Sequence, residues 1–221
     1  MSALPRIAVL ASGRGSNLAA LIAARDNGTL PVEITLVGSN KAEAPALRLA
    51  EAAGIATLAL DPRSYPDRLS FDLDMLQRVA ASGAQWLVLA GYMRILAAEA
   101  VRPWVGRIIN IHPSLLPKYR GLHTHLRALE AGDTDHGASV HFVTAELDGG
   151  PVIAQAHIAL QQGDDEDQLA ARLLPLEHQL LPAVLRLLAS RELQWGEPPV
   201  FHGQPLLAPL VLAEDGTLVA R

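Results

Sequence analysis

Short runs of β-branched and other apolar residues, each closed by turn residues, alternate with longer segments of helical period across the first half of the chain. That alternation limits the fold more than any other feature, because parallel strands joined by crossover helices bury both elements of such a repeat. Arg6 to Leu10 reads as a first strand, and Leu18 to Asp26 as a helix with Leu18, Leu21 and Ile22 on one face, closed by Gly28. Val32 to Val37 is the second strand, and Glu43 to Ala53 a helix with Gly54 placed to cap it. Ile55 to Leu60 returns as strand, Asp67 to Ala81 as helix and Trp86 to Ala90 as strand. The expected class is α/β, built from βαβ units around a parallel sheet.

Beyond Ala90 the pattern changes. Ile108 to Ile111 is strand-like, after which Pro113, Pro117 and Gly121 impose a structured loop up to about His125. Leu126 to Ala131 reads as a short helix, and Ser139 to Val143 and Val152 to Ile158 as strands. Asp164 to Ser190 is a long amphipathic segment that Pro175 and Pro182 are expected to kink or split. In the Pro-rich tail from Glu197, Leu210 to Leu212 and Leu218 to Val219 flank Asp215 and Gly216, which reads as a hairpin packed on the core. With no internal repeat and no linker-like break, 221 residues are expected to form one domain. It divides into residues 1–105, residues 106–190 and a C-terminal tail, 191–221.

The charge balance, 18 Lys and Arg against 23 Asp and Glu, gives a net charge of −5 and no basic block, so an anionic ligand must be held locally and a nucleic-acid surface is not expected. Without cysteine there is no disulfide, no thiolate catalysis and no Cys-ligated zinc, which fits a reducing compartment. The N-terminal apolar run, Ile7 to Ala11, is too short for a signal segment, and nothing approaches the roughly 20 residues of a membrane span. The expectation is a soluble cytoplasmic protein that acts on small molecules; the sequence gives no oligomeric state.

Three constellations could carry chemistry. The loop Ser12 to Asn17 (SGRGSN) follows a strand and opens a helix, so its N–H groups and the helix dipole make an anion site suited to phosphate. A dinucleotide fingerprint is incomplete there, with Leu18 in place of the third glycine and no ribose-binding acid after the second strand. The competing reading is a tight turn whose glycines only avoid Cβ clashes. Asn110 and His112 lie on one face where a buried strand meets an irregular loop, and both can present N–H groups to a developing oxyanion; a satisfied histidine at a strand end is the plainer alternative. In Glu146 to Pro151, Asp148 precedes two glycines that let the backbone turn close to a ligand, and its carboxylate could orient His112 and favour its charged form; a simple turn between strands is the alternative. Six of the eight His lie between His112 and His157, but no HExxH occurs, and no metal is expected. Glu177 and His178 read as a solvated helix face.

Taken together, SGRGSNL near the start, Gly91 to Leu96 (GYMRIL), Asn110 to Gly121 (NIHPSLLPKYRG), His136 to Val143 and Asp148 to Pro151 resemble the folate-dependent glycinamide ribonucleotide formyltransferase family of purine biosynthesis. The resemblance runs in order from the first strand to about His178 and does not reach the tail from about Arg191. It implies a Rossmann-like formyltransferase fold, a mostly parallel sheet flanked by helices, and transfer of the formyl group of 10-formyltetrahydrofolate to the primary amine of glycinamide ribonucleotide. It also implies Asn110, His112 and Asp148 as a catalytic trio. Gly15, Ser16, Asn17 and Glu177 would bind the nucleotide substrate, and Arg68, Met93, Arg94, Ile95, Leu96 and Asn110 the folate, with residues 1–105 as the phosphate-binding βαβ half and 106–190 as the catalytic and folate-site half. Ala145 departs from an acid found in some members of the family.

In the implied chemistry the neutral amine attacks the formyl carbon, Asn110 and protonated His112 stabilise the oxyanion, and a proton moves from the former amine to the leaving folate nitrogen through His112, Asp148 or a water between them. No metal or covalent intermediate is required. Two related activities fit less well: formyltetrahydrofolate deformylases carry an N-terminal regulatory domain, and methionyl-tRNA formyltransferases add a basic C-terminal RNA-binding domain. A non-catalytic phosphosugar-binding regulator would keep the Ser12 to Asn17 loop but gives no reason for Asn110, His112 and Asp148 together.

Overall fold

In the computed structural model, which describes residues 4–220, the first half of the chain follows the expected alternation. β1 (Arg6–Leu10), α1 (Ser16–Asp26), β2 (Glu33–Ser39), α2 (Pro45–Ala52), β3 (Thr57–Ala59), α3 (Arg68–Ala81) and β4 (Trp86–Leu89) succeed one another. Local chemistry sets their boundaries. The Asp67 carboxylate accepts the Ser70 N–H at 2.7 Å and starts α3. Pro45 opens α2, where its missing N–H has no partner to lose. Gly54, at φ 68°, takes the left-handed turn that ends it. β3 is shorter than the apolar run around it because, among the described residues, it pairs only with Val37 to Ser39 of β2.

The second half contributes α4 (Ala98–Val101), β5 (Ile108–His112), α5 (Thr124–Glu130), β6 (Asp135–Phe142), β7 (Val152–Ala159) and α6 (Glu166–Ala189). The tail adds β8 (Leu193–Gln194), β9 (Val200–Phe201), β10 (Gln204–Pro205), β11 (Leu210–Leu212) and β12 (Leu218–Val219). Nine strands form one sheet in the order β12-β11-β7-β6-β5-β4-β1-β2-β3, and β8 to β10 form a small second sheet. From β3 to β5 every pairing is parallel; β6 runs antiparallel to both β5 and β7, and β11 rejoins β7 in parallel. The expected tail hairpin is present as β11 and β12.

Alternation along the strands feeds two cores, one on each face of the sheet. Ile7, Val9 and Ala11 point to a cluster with Leu18 and Leu21 of α1, Leu47 of α2, and Leu173, Leu181 and Leu185 of α6. Ala8 and Leu10 point the other way, to Phe71, Met75 and Val79 of α3 and to Val101 and Trp104. Helices on both faces of a mostly parallel sheet are what near-continuous apolar strands require.

Three local expectations need correction. α5 begins at Thr124, so His125 is helical rather than in the loop. β6 begins at Asp135, four residues before the apolar run that revealed it, because its whole length pairs with β7. Most clearly, α6 is not split: it runs through Pro175 and Pro182 as 24 residues. A capping box at Asp165 and Gln168 fixes its start, and a buried face that includes Leu173, Leu180, Leu181, Val184 and Leu188 outweighs the roughly 3 kcal/mol that an interior proline costs.

Candidate active site

β5 ends at the C-terminal edge of the parallel part of the sheet, where open α/β sheets bind their ligands. Asn110 and His112 share one face of it, and the antiparallel register places His141 of β6 opposite Asn110. His141 donates from Nδ1 to the Phe142 carbonyl at 2.9 Å, which leaves its Nε2 to accept from Asn110 Nδ2 at 3.1 Å. His112 donates from Nε2 to the carbonyl of Tyr119 at 2.9 Å. A carbonyl only accepts, so the ring proton is fixed on Nε2 and Nδ1 is turned to the other side.

What Nδ1 faces is Asp148, on the connection between β6 and β7. Oδ2 of Asp148 lies 3.5 Å from His112 Nδ1 and accepts the Gly121 N–H at 2.9 Å, while Oδ1 lies 3.5 Å from His141 Nε2. Asp148 itself sits at φ 45°, a conformation uncommon for a residue with a side chain and frequent at functional sites. The structure thus brings Asn110, His112 and Asp148 together. It adds His141, which sequence reasoning did not single out. The signal for His141 was parity within β6, readable only once the register against β5 is known.

Electrostatics in this group are set by burial against partners. Burial pushes the His112 imidazole below its ordinary value, and the Tyr119 carbonyl and the Asp148 carboxylate offset that only in part. For Asp148 burial acts upward, but the adjacent His141 imidazole, the Gly121 N–H and the nearby His112 outweigh it, and its carboxyl stays below the usual range. The sequence expectation that Asp148 favours a charged His112 therefore holds for that one contribution, while the net shift is downward.

These groups open into a cleft of about 610 Å³ that is also lined by Arg68, Met93, Arg94, Ile95 and Leu96. Four large apolar side chains on its lining are exposed, Met93 at 64%, Ile95 at 51%, Leu122 at 68% and Leu147 at 43%. They come from three separate segments, and a flat apolar ligand would cover them together. Arg120 pairs with Glu146 and ties the loop after β5 to the one that carries Asp148. The Arg94 guanidinium rests 4.6 Å above the Phe71 ring, and the buried Asp72 accepts the Ala97 N–H at 2.7 Å.

Gly15, Ser16, Asn17 and Glu177 lie outside the lining of this cleft. Gly15 stands at φ 78° as the residue before α1, and a Cβ there would meet Ala46 Cβ at 2.8 Å, so the turn and the packing of α2 each demand glycine. Gly13 is different: a Cβ there would find nothing within 4 Å. No side chain caps α1 and no acid lies in its first turn, which leaves its leading N–H groups free for an anion. Asn17 donates from Nδ2 to Glu177 Oε2 at 2.9 Å across 160 residues of sequence. Glu177 is half-buried rather than on a solvated face, and burial raises its carboxyl, with the Asn17 bond offsetting part of the rise.

His125 Nδ1 and His136 Nε2 are 3.0 Å apart, so one donates and the other accepts; burial and the neighbouring His125 push His136 down to about 4. Among the described residues no group of three or more His, Cys, Asp or Glu could hold a metal ion, and no helix is long and apolar enough to cross a membrane.

Comparison with known proteins places the chain by its sequence and fold. The formyl transferase family model matches residues 5–185. The chain is 45% identical over 209 residues to the phosphoribosylglycinamide formyltransferase of Escherichia coli (strain K12), covering 95% of this chain and 99% of that protein. It is 46% identical over 191 residues to the trifunctional purine biosynthetic protein adenosine-3 of Drosophila pseudoobscura pseudoobscura, where the match spans 86% of this chain and 14% of that longer protein. The solved structure of the phosphoribosylglycinamide formyltransferase of Coxiella burnetii superposes with a TM-score of 0.88 at 43% identity, covering 92% of this chain and 96% of that one. With sequence and overall fold in agreement, the chain belongs to the formyl transferase family, among its phosphoribosylglycinamide formyltransferases.

Proposed function

We propose that the chain transfers the formyl group of 10-formyltetrahydrofolate to the primary amine of glycinamide ribonucleotide, giving formylglycinamide ribonucleotide and tetrahydrofolate in purine biosynthesis. The observation that carries the folate half of this reading is that the exposed Met93, Ile95, Leu122 and Leu147 line the same cleft as Asn110, His112 and Asp148. A pteridine fits such a place because its faces are apolar and its edges are polar. Arg68 and Arg94, on the same lining, suit the carboxylates of its glutamate tail. The nucleotide half rests on the uncapped start of α1, with the open space over Gly13 for the phosphate and Glu177 for a neutral donor of the substrate.

In this reading the amine nitrogen forms a bond to the formyl carbon, and the bond from that carbon to the folate nitrogen then breaks. Asn110, held by His141, keeps one amide N–H for the oxyanion. His112 starts neutral because it is buried, and the negative charge that develops beside it favours its protonation in the transition state, where the interaction accelerates the step. Asp148 holds the proton-exchanging face of His112 in place. The proton released by the former amine passes through this pair to the leaving nitrogen. Residues 1–105 supply the phosphate site and 106–190 the proton chemistry, and we place the reaction in the cytoplasm on small-molecule substrates.

The deciding experiment incubates the protein with 10-formyltetrahydrofolate, with and without glycinamide ribonucleotide. Tetrahydrofolate is expected only when the amine is present. Equal product without the amine would make the chain a hydrolase and refute the proposal.

A further inference from the structure

The segment Met93 to Ala97, of which Met93 to Leu96 line the cleft as one wall, belongs to neither helix nor strand, so no backbone ladder fixes its position. Two buried side chains hold its ends instead. At the far end Asp72 of α3 takes the Ala97 N–H. At the near end the partner is Ser12, the first residue of the loop assigned above to the nucleotide phosphate. Ser12 Oγ accepts the Met93 N–H at 2.8 Å, and the Ser12 N–H donates to the Gly91 carbonyl at 3.0 Å. A hydroxyl has a single proton, and Ser12 gives it to Oδ1 of Asn40, which directly follows β2. With the proton committed there, the lone pairs of Ser12 face Met93. Asn40, Ser12 and Gly91 to Met93 thereby join the ends of β2, β1 and β4, three adjacent strands, into one hydrogen-bonded unit.

Resting on the folate reading above, we propose that Ser12 is a positioning residue for the folate wall, with Asn40 orienting its hydroxyl, although Ser12 lies in the nucleotide loop. Its side chain makes no bond to Gly13 through Asn17 among the described contacts; what it holds is the other ligand's site. Loss of the hydroxyl leaves the Met93 N–H without its partner and the near end of the wall unpinned. Loss of the Asn40 acceptor frees the hydroxyl to rotate away.

The test compares Ser12→Ala, Asn40→Ala and Asn40→Asp with the wild type, by calorimetric titration with tetrahydrofolate and with glycinamide ribonucleotide separately, and by steady-state rates. Both alanine variants are expected to bind tetrahydrofolate about 3- to 10-fold more weakly, the span of one lost neutral hydrogen bond. Nucleotide affinity should stay within about twofold, and KM for the formyl donor should rise while kcat changes by less than about threefold. Asn40→Asp, which keeps an acceptor for the Ser12 proton, should restore folate affinity. Unchanged folate affinity in Ser12→Ala, equal weakening of both ligands, or failure of Asn40→Asp to recover would each overturn the assignment. Wild-type protein that binds no tetrahydrofolate would overturn the folate reading as well, and so separates the two failures.

Discussion

Replacing Asp148 by Asn tests the electrostatic part of the mechanism while sparing the shape of the site. The side chains are isosteric, Asn tolerates the φ of 45° at least as well as Asp, and its carbonyl oxygen can still accept the Gly121 N–H. What disappears is a negative charge 3.5 Å from His112 Nδ1, between side chains that are only 8% and 10% exposed. At an effective dielectric of about 20, two unit charges at that distance attract by about 5 kcal/mol. This is an upper bound on the loss, because in the proposed mechanism His112 is charged only near the transition state and His141 shares the carboxylate. Retaining about half of it in the barrier predicts a fall in turnover of about 10²-fold. Burial already lowers the His112 imidazole and Asp148 offsets part of that, so in the variant the imidazole should lose its proton at still lower pH. The assay follows tetrahydrofolate release against pH, with His112 titrated by NMR in parallel. Turnover within about threefold of wild type, or a His112 titration that stays put or moves upward, would refute the pairing.

Gly15→Val should destabilise the fold, since it forces a β-branched residue to φ 78° against Ala46, whereas Gly13→Ala should fold normally and weaken glycinamide ribonucleotide binding about tenfold or more if the phosphate comes close there; thermal melts and calorimetry separate the two. Glu177→Gln should also weaken the nucleotide while leaving unliganded stability at pH 7 equal or higher. The Glu177 carboxyl is raised by burial, so wild-type stability falls as pH rises from the ordinary glutamate value toward the raised folded one, and Gln removes that slope in pH-dependent unfolding curves. His136 works in the opposite direction: its folded value of about 4 lies below the ordinary 6.5, so its stability contribution is complete above 6.5 and is lost as pH falls toward 4. Across that window the loss amounts to about 3 kcal/mol; urea unfolding of His136→Gln should show a correspondingly shallower acid dependence.

The sequence by itself determined the elements of the fold and most of the positions that gather at the cleft. Apolar runs of strand length alternating with helical periods can bury both faces only as a parallel sheet covered on two sides, and turn residues such as Gly54 and the Asp67 cap mark their boundaries through local chemistry. Parity within β5 was enough to put Asn110 and His112 on one face. Only the tertiary structure decided what depends on contacts between distant segments. His141 joins the group through the antiparallel register of β6, and one residue of slip would turn it to the opposite face of the sheet. Glu177 looks solvated on a lone helix and becomes half-buried only because α6 packs against α1 and meets Asn17. α6 survives two prolines because its leucine face is buried, a stabilisation that no local propensity records. The His112 imidazole is lowered rather than raised because burial exceeds the pull of its carboxylate, and burial is a property of the whole fold.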